Sequence, residues 1–189
     1  ITLPQFEGKI QEKILTPFGI RQKFSTYNPG IFKMDNDLFY VARVSTFNLC
    51  NKIPYFLEGM SYLAFGKVGK SKKQILIDTV DPVKNCKFHG YEDPRCIVFN
   101  RTLYIFVNAR DNSECINQMY MLAIPLKDIR AALKSKTQSL KPQVIKLHIN
   151  FDKGQVQKNW MPFIKNKELM CVYSVNPHII LRIDRKSTR

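Results

Sequence analysis

The sequence predicts an all-β protein of the β-propeller class, and three observations lead there. Its 189 residues are 44% hydrophobic and 12% aromatic, enough for one domain with a sizeable core. An apolar run, a polar turn and a second apolar run occur three times at even spacing. Further strand-like segments follow, so that each repeat holds about four strands, the make-up of a propeller blade.

Residues 1 to 27 mix Pro4, Pro17 and Gly19 with short apolar stretches and read as a leading arm with one short strand. The first hairpin runs from Tyr27-Asn28-Pro29-Gly30-Ile31-Phe32 through a turn at Lys33 to Asp37 into Leu38-Phe39-Tyr40-Val41-Ala42-Arg43-Val44. Ser61 to Phe65 and Gln74 to Ile77 supply its further strands. The second hairpin runs from Asp93 to Phe99, turns at Asn100-Arg101-Thr102 and returns along Leu103 to Val107, with Met119 to Ile124 and Gln143 to Leu147 beyond. The third joins Trp160 to Ile164 with Leu169 to Tyr173. Leu38, Leu103 and Leu169 are spaced by 65 and 66 residues, and each has a proline seven to nine residues before it. Leu126 to Leu133 breaks the pattern: its apolar residues fall at helical spacing, which predicts a short helix inserted between outer strands.

The expected organisation is a single propeller domain over residues 1–189, with blade-like units at about 27–90, 91–157 and 158–189. Units of this length give about three blades, fewer than the four that close the smallest rings. The ring is therefore expected to be incomplete, with blades outside this chain or an open stack put to another use.

A net charge of +15, from 30 Lys and Arg against 15 Asp and Glu, attracts nucleic acid, phosphorylated sugars or anionic surfaces without choosing among them. Basic residues gather at Lys67, Lys70, Lys72 and Lys73, at Lys134, Lys136, Lys141 and Lys146, and at Arg182, Arg185, Lys186 and Arg189, as solvated loops and tails also would. Without a Gly-rich phosphate loop, an aromatic RNA-binding motif or zinc-finger spacing, nucleic acid rests on charge alone. No apolar run approaches the roughly 18 residues of a membrane-spanning helix. The five cysteines are odd in number and lack the short paired spacing of a metal site, so they read as buried free thiols in a reducing, cytoplasmic setting. Asn100-Arg101-Thr102, a formal glycosylation sequon, points the other way.

The innermost strand of each blade runs beside the propeller axis, so residues before and along it converge. By that alignment the first unit offers Asn28 and Arg43, the second Glu92, Asp93, Arg95 and Arg110, and the third Lys158, Asn159, Trp160 and His178. Glu92-Asp93-Pro94-Arg95, Lys158-Asn159-Trp160 one unit later, the Asn28-Pro29 opening and a histidine 20 residues after Lys158 together resemble the five-bladed propellers of glycoside hydrolase family 130. That family comprises β-mannoside phosphorylases and hydrolases, with related mannosyltransferases; the resemblance covers about residues 27–183, or three of five blades.

The resemblance implies one catalytic aspartate, Asp93, donating a proton toward the glycosidic oxygen through a sugar hydroxyl. It implies Lys158 and His178 as ligands of an attacking inorganic phosphate, which needs positive charge and donors opposite the acid. Asn28, Arg43, Glu92, Arg95 and Asn159 would bind sugar hydroxyls, and Trp160 would offer a flat apolar face. Phosphate as co-substrate is the only small molecule expected beyond the glycan, with no metal or other cofactor. Hydrolases with two carboxylates place acids on both sides of the scissile bond. The third unit has Lys158-Asn159-Trp160 at the equivalent place and no acid, which favours phosphorolysis or transfer.

The chain departs from the family in two places. The phosphorylases carry a further arginine after the second hairpin, whereas Cys115 to Ile124 contains none, leaving Arg110 as the candidate substitute. They have Phe-Pro in the third hairpin where this chain has Met161-Pro162-Phe163. Structural readings stand beside the functional ones: Asp93-Pro94 as a turn paired with Arg95, Trp160 as core, His178 as a structural side chain. The leading expectation is a carbohydrate-active protein that works on β-mannoside-like glycans or sugar phosphates. The alternative is a catalytically inactive propeller-derived module that binds glycan, or a basic structural component of a homo-oligomer or larger assembly such as a virion.

Overall fold

The computed structural model describes residues 25–45, 59–69, 74–79, 88–111, 115–135, 137–149 and 156–184. The leading arm up to residue 24, Cys50, Cys86, Lys70, Lys72, Lys73, Lys136, Arg185, Lys186 and Arg189 lie outside them.

The protein is predominantly β, with a single helix among the described residues. Strands β1 (Ser25–Met34), β2 (Asp37–Ser45), β3 (Gly59–Lys67) and β4 (Gln74–Ile77) form an antiparallel meander in chain order. A second meander comprises β5 (Phe88–Phe99), β6 (Thr102–Asp111) and β7 (Ile116–Pro125). After helix α1 (Leu126–Lys134) and the short β8 (Ser139–Leu140), β9 (Gln143–Lys146) returns to pair with β7. Strands β10 (Met161–Lys165), β11 (Glu168–Ser174) and β12 (Ile179–Arg182) form the third unit.

One feature differs from separate blades. Gly59–Ser61 of β3 pairs in parallel with Phe88–Gly90 of β5, and β8 pairs with β4, so the first two meanders share one nine-stranded sheet while the third stands apart. Gly90 permits this: its φ of +93° suits glycine, and a Cβ there would collide with the backbone oxygen of Ser61. The described strands do not close into a ring.

Alternation along the strands builds two cores. Leu103, Ile105, Val107, Tyr120 and Leu122 of the middle unit meet Phe32, Phe39, Val41, Leu63 and Phe65 of the first. Tyr104, Phe106, Met119 and Met121 point the other way and meet Trp160, Leu169 and Cys171 of the third. Covered on both faces, the middle strands need no polar alternation, which accounts for the unbroken run Leu103 to Val107. Phe39 stacks on Phe65 with centroids 5.4 Å apart. Helix α1 lies where its spacing predicts and buries Leu126, Ile129 and Ala132, with Asp128 in its first turn and Lys134 in its last, as the helix dipole favours. Arg130 donates to both Asp35 carboxylate oxygens, at 2.9 and 3.2 Å, pinning the helix to the β1–β2 turn.

The repeat is also written in the backbone. Asn28, Asp93 and Asn159 have φ values of 50°, 51° and 58°, a left-handed conformation that Asn and Asp tolerate better than most residues. Asn100-Arg101 and Asn166-Lys167 each show the two successive positive φ angles of a type I′ hairpin turn. Between the pairs Tyr27↔Arg43 and Gly30↔Val41, Asn28 and Pro29 of β1 stand against Ala42 alone, and between Glu92↔Asn108 and Arg95↔Phe106, Asp93 and Pro94 of β5 stand against Val107 alone. These are β-bulges, and Pro29 and Pro94 occupy them because a bulge spares a backbone donor the ladder would otherwise need. Glu92 to Arg95 therefore lie inside the 12-residue β5, which begins before the Asp93 start that the hairpin pattern gave.

The thiols divide. Cys96 and Cys171 are free, and burial pushes both up, Cys171 to about 12 and Cys96 beyond the ordinary thiol range. Cys115, by contrast, is disulfide-bonded, so the expectation of free thiols does not extend to it.

Candidate functional site

The two bulges lie against each other. A Cβ on Gly30 would stand 2.6 Å from the Pro94 carbonyl oxygen, so the glycine lets β1 approach β5. Bulging turns Asn28 and Asp93 out of strand alternation, and Asn28 Nδ2 donates to Asp93 Oδ1 at 2.7 Å. Asp93 Oδ2 has no hydrogen-bond partner among the described residues.

Arg43 closes the cluster from β2. Its Nε donates to Ser61 Oγ at 2.9 Å, Nη2 pairs with Glu92 Oε1 at 2.8 Å, and Nη1 lies 3.5 Å from Asp93 Oδ1. The guanidinium also sits 5.1 Å from the Tyr27 ring centroid, a cation–π distance. With all three nitrogens and one face occupied, Arg43 holds the two acids in place and has little left for a sugar. Asn108 Nδ2 reaches Glu92 Oε2 at 3.4 Å, so both oxygens of Glu92 are engaged. On the far side, Arg95 donates to the carbonyl oxygens of Pro94 and Asp93, and its Nη2 is 3.5 Å from Asn159 Oδ1 in the third unit. The side chains of Arg43 and Glu92 are each 16% exposed and that of Asp93 23%, so Asp93 opens most to solvent.

Asn28, Arg43, Glu92, Asp93, Arg95 and Asn159 thus fall in one neighbourhood drawn from three units. Trp160 needs correcting. It is 2% exposed and packs edge-on to Tyr173 at 5.6 Å in the second core, so its face is not offered to a sugar. Lys158 beside Asn159 is exposed, as is His178 in the turn between β11 and β12, and neither bonds to Asp93 among the described residues. Arg110, half-buried, stands opposite Asn117 in the β6–β7 ladder. Asn108, Ser61 and Tyr27 were not anticipated. Asn108 had a signal, a polar side chain directly after the apolar run Leu103 to Val107; the structure shows it 2% exposed and opposite Glu92 in the ladder. Chemically, the cluster offers one carboxylate oxygen without a hydrogen-bond partner among the described residues, a second acid held fixed, and amide and guanidinium donors around them.

No family model, curated protein or solved structure matches the chain.

Proposed function

We propose that the three units are blades of a β-propeller and that the chain is carbohydrate-active at Asp93, acting on β-mannoside-like glycans by phosphorolysis or mannosyl transfer. The observation that carries this reading is the Asn28–Asp93–Arg43–Glu92 cluster, in which one Asp93 oxygen is anchored and the other is open. An acid held by one oxygen keeps its orientation while the other meets the substrate. Protonated Asp93 gives its proton to the glycosidic oxygen through a sugar hydroxyl as the anomeric C–O bond breaks, and an oxygen of phosphate or of an acceptor forms the new bond. Glu92, with both oxygens engaged, shapes the site and holds Arg43. Lys158, a cation, and His178, a hydrogen-bonding imidazole, are both exposed on the third unit and would meet the incoming anion.

The test is incubation with β-1,4-linked mannobiose and inorganic phosphate, following mannose 1-phosphate, beside an arm with an activated mannosyl donor, following chain extension. Product in either arm, lost in Asp93→Asn at unchanged melting temperature, supports the reading. No product in both arms refutes it as an enzyme.

A second reading takes Asp93 as a latch between units, since both Asn28 and Arg43 grip the same oxygen. The protein would then be a glycan-binding or structural module. Mannobiose binding without turnover, lost or kept independently of Asp93, would favour it.

A further inference from the structure

Each unit turns its leading hairpin through a short polar loop, and the loops differ in one respect. Asn100-Arg101 and Asn166-Lys167 share the type I′ geometry, with φ values of 47° and 59° in one and 51° and 60° in the other. Positive φ accounts for an asparagine in both. It does not account for a hydroxyl two residues on. Thr102 follows Asn100, whereas Glu168 follows Asn166 and Leu38 follows Asn36. Asn100-Arg101-Thr102 is the single Asn-x-Ser/Thr triplet in the 189 residues.

The fold leaves that asparagine in the open. Asn100 and Arg101 are exposed, Thr102 is half-buried, and the Asn100 side-chain amide has no hydrogen-bond partner among the described residues. The middle unit has the first unit against one face and the third against the other, so its turn is what stays uncovered with both neighbours in place. Asn100 also lies seven residues along the chain from Asp93, roughly 20 Å at the rise of a strand, so a bulky group on it stands clear of the acid. A separate observation concerns the compartment. Cys115, directly before β7, is disulfide-bonded, and disulfides persist in the oxidising compartments where secreted chains are also glycosylated.

We propose that Asn100 is an N-glycosylation site and that the chain matures in an oxidising, secretory compartment. This departs from the reducing setting expected from the cysteine count, and Cys115 is the reason. The donor is an oligosaccharide carried on a lipid diphosphate, and an oligosaccharyltransferase makes the transfer. Asn100 Nδ2 bonds to the anomeric carbon, the bond from that carbon to the diphosphate oxygen breaks, the lipid diphosphate leaves, and the amide proton passes to a base of the transferase. Thr102 supplies the hydroxyl that completes the acceptor triplet. The glycan then projects from the turn into solvent, and none of this depends on the chemistry at Asp93.

Peptide mapping of the full chain from the cells that produce it, with and without peptide-N-glycosidase F, tests this. The peptide containing Asn100 is expected only after the glycosidase, with that asparagine converted to aspartate, while the peptide containing Asn166 appears unmodified in both digests. Cys115 should react with iodoacetamide only after reduction. In a eukaryotic secretory host, Thr102→Val should lose the glycan and Thr102→Ser keep it. Asn100→Asp, which suits the left-handed turn, gives the same loss if Thr102→Val does not fold. Asn100 recovered unmodified without the glycosidase, Cys115 alkylated without reduction, or a glycan that survives Thr102→Val would each overturn the proposal.

Discussion

Asn28 donates to Asp93 across 2.7 Å, and the two residues, 65 positions apart, hold the same place in successive units with nearly the same φ. The repeat has set an amide against an acid at one structural position. Asn28→Ala removes the donor but leaves the acid, which should cost about 1 kcal/mol of orientation, or five- to tenfold in turnover of mannobiose. Asp93→Asn should remove turnover altogether. Equal effects from both would argue that Asp93 is only a latch.

Arg43 should be the costliest polar residue to lose. Arg43→Met leaves Glu92 and Asp93 facing each other without the cation between them, at about 1.5–3 kcal/mol. Lysine cannot reproduce three directed bonds, so Arg43→Lys should recover only part of this. Urea unfolding midpoints measure both, and adding Glu92→Gln to Arg43→Met should cost less than the sum of the single changes.

Trp160→Ala should destabilise by about 3–5 kcal/mol, the usual cost of emptying a large aromatic site in a core. Trp160→Phe, which keeps most of the volume, should leave glycan affinity by calorimetry unchanged. A selective loss of affinity in the Phe variant at wild-type stability would restore the residue to the sugar site.

Because burial raises the Cys171 thiol in the folded state, its stability contribution is complete below the ordinary thiol range near 8.5 and is lost as pH rises toward about 12. The unfolding midpoint should therefore fall between pH 8 and pH 10.5, with a shallower fall in Cys171→Ala. Iodoacetamide at pH 8 should leave Cys96 and Cys171 unmodified in the folded protein and alkylate both in urea, as peptide masses would show.

Most of the strand order was legible because leucine and proline recur in register and because Leu126 to Leu133 breaks period two for helical spacing. The same alignment gathered Asn28, Arg43, Glu92, Asp93, Arg95 and Asn159 as candidates that would converge, and hydrogen bonds and ion pairs link them in the structure; the shared left-handed φ of Asn28, Asp93 and Asn159 is visible only there. What could not be read depends on contacts between distant segments. The parallel pairing of β3 with β5 rests on the close approach of Gly90 to Ser61, which no local pattern announces. A tryptophan before an apolar strand suits a sugar platform and a core equally well, and only Tyr173 and Leu169 around it decide. The left-handed Asp93 inside β5 was likewise hidden, because proline reads as the end of a strand until a bulge makes room for it.

The acid belongs to the middle unit, its amide and guanidinium partners to the first, and the amide facing Arg95 to the third. No one unit holds this centre by itself, so a change in how neighbouring units pack would disturb the acid even where every side chain of the middle unit is kept.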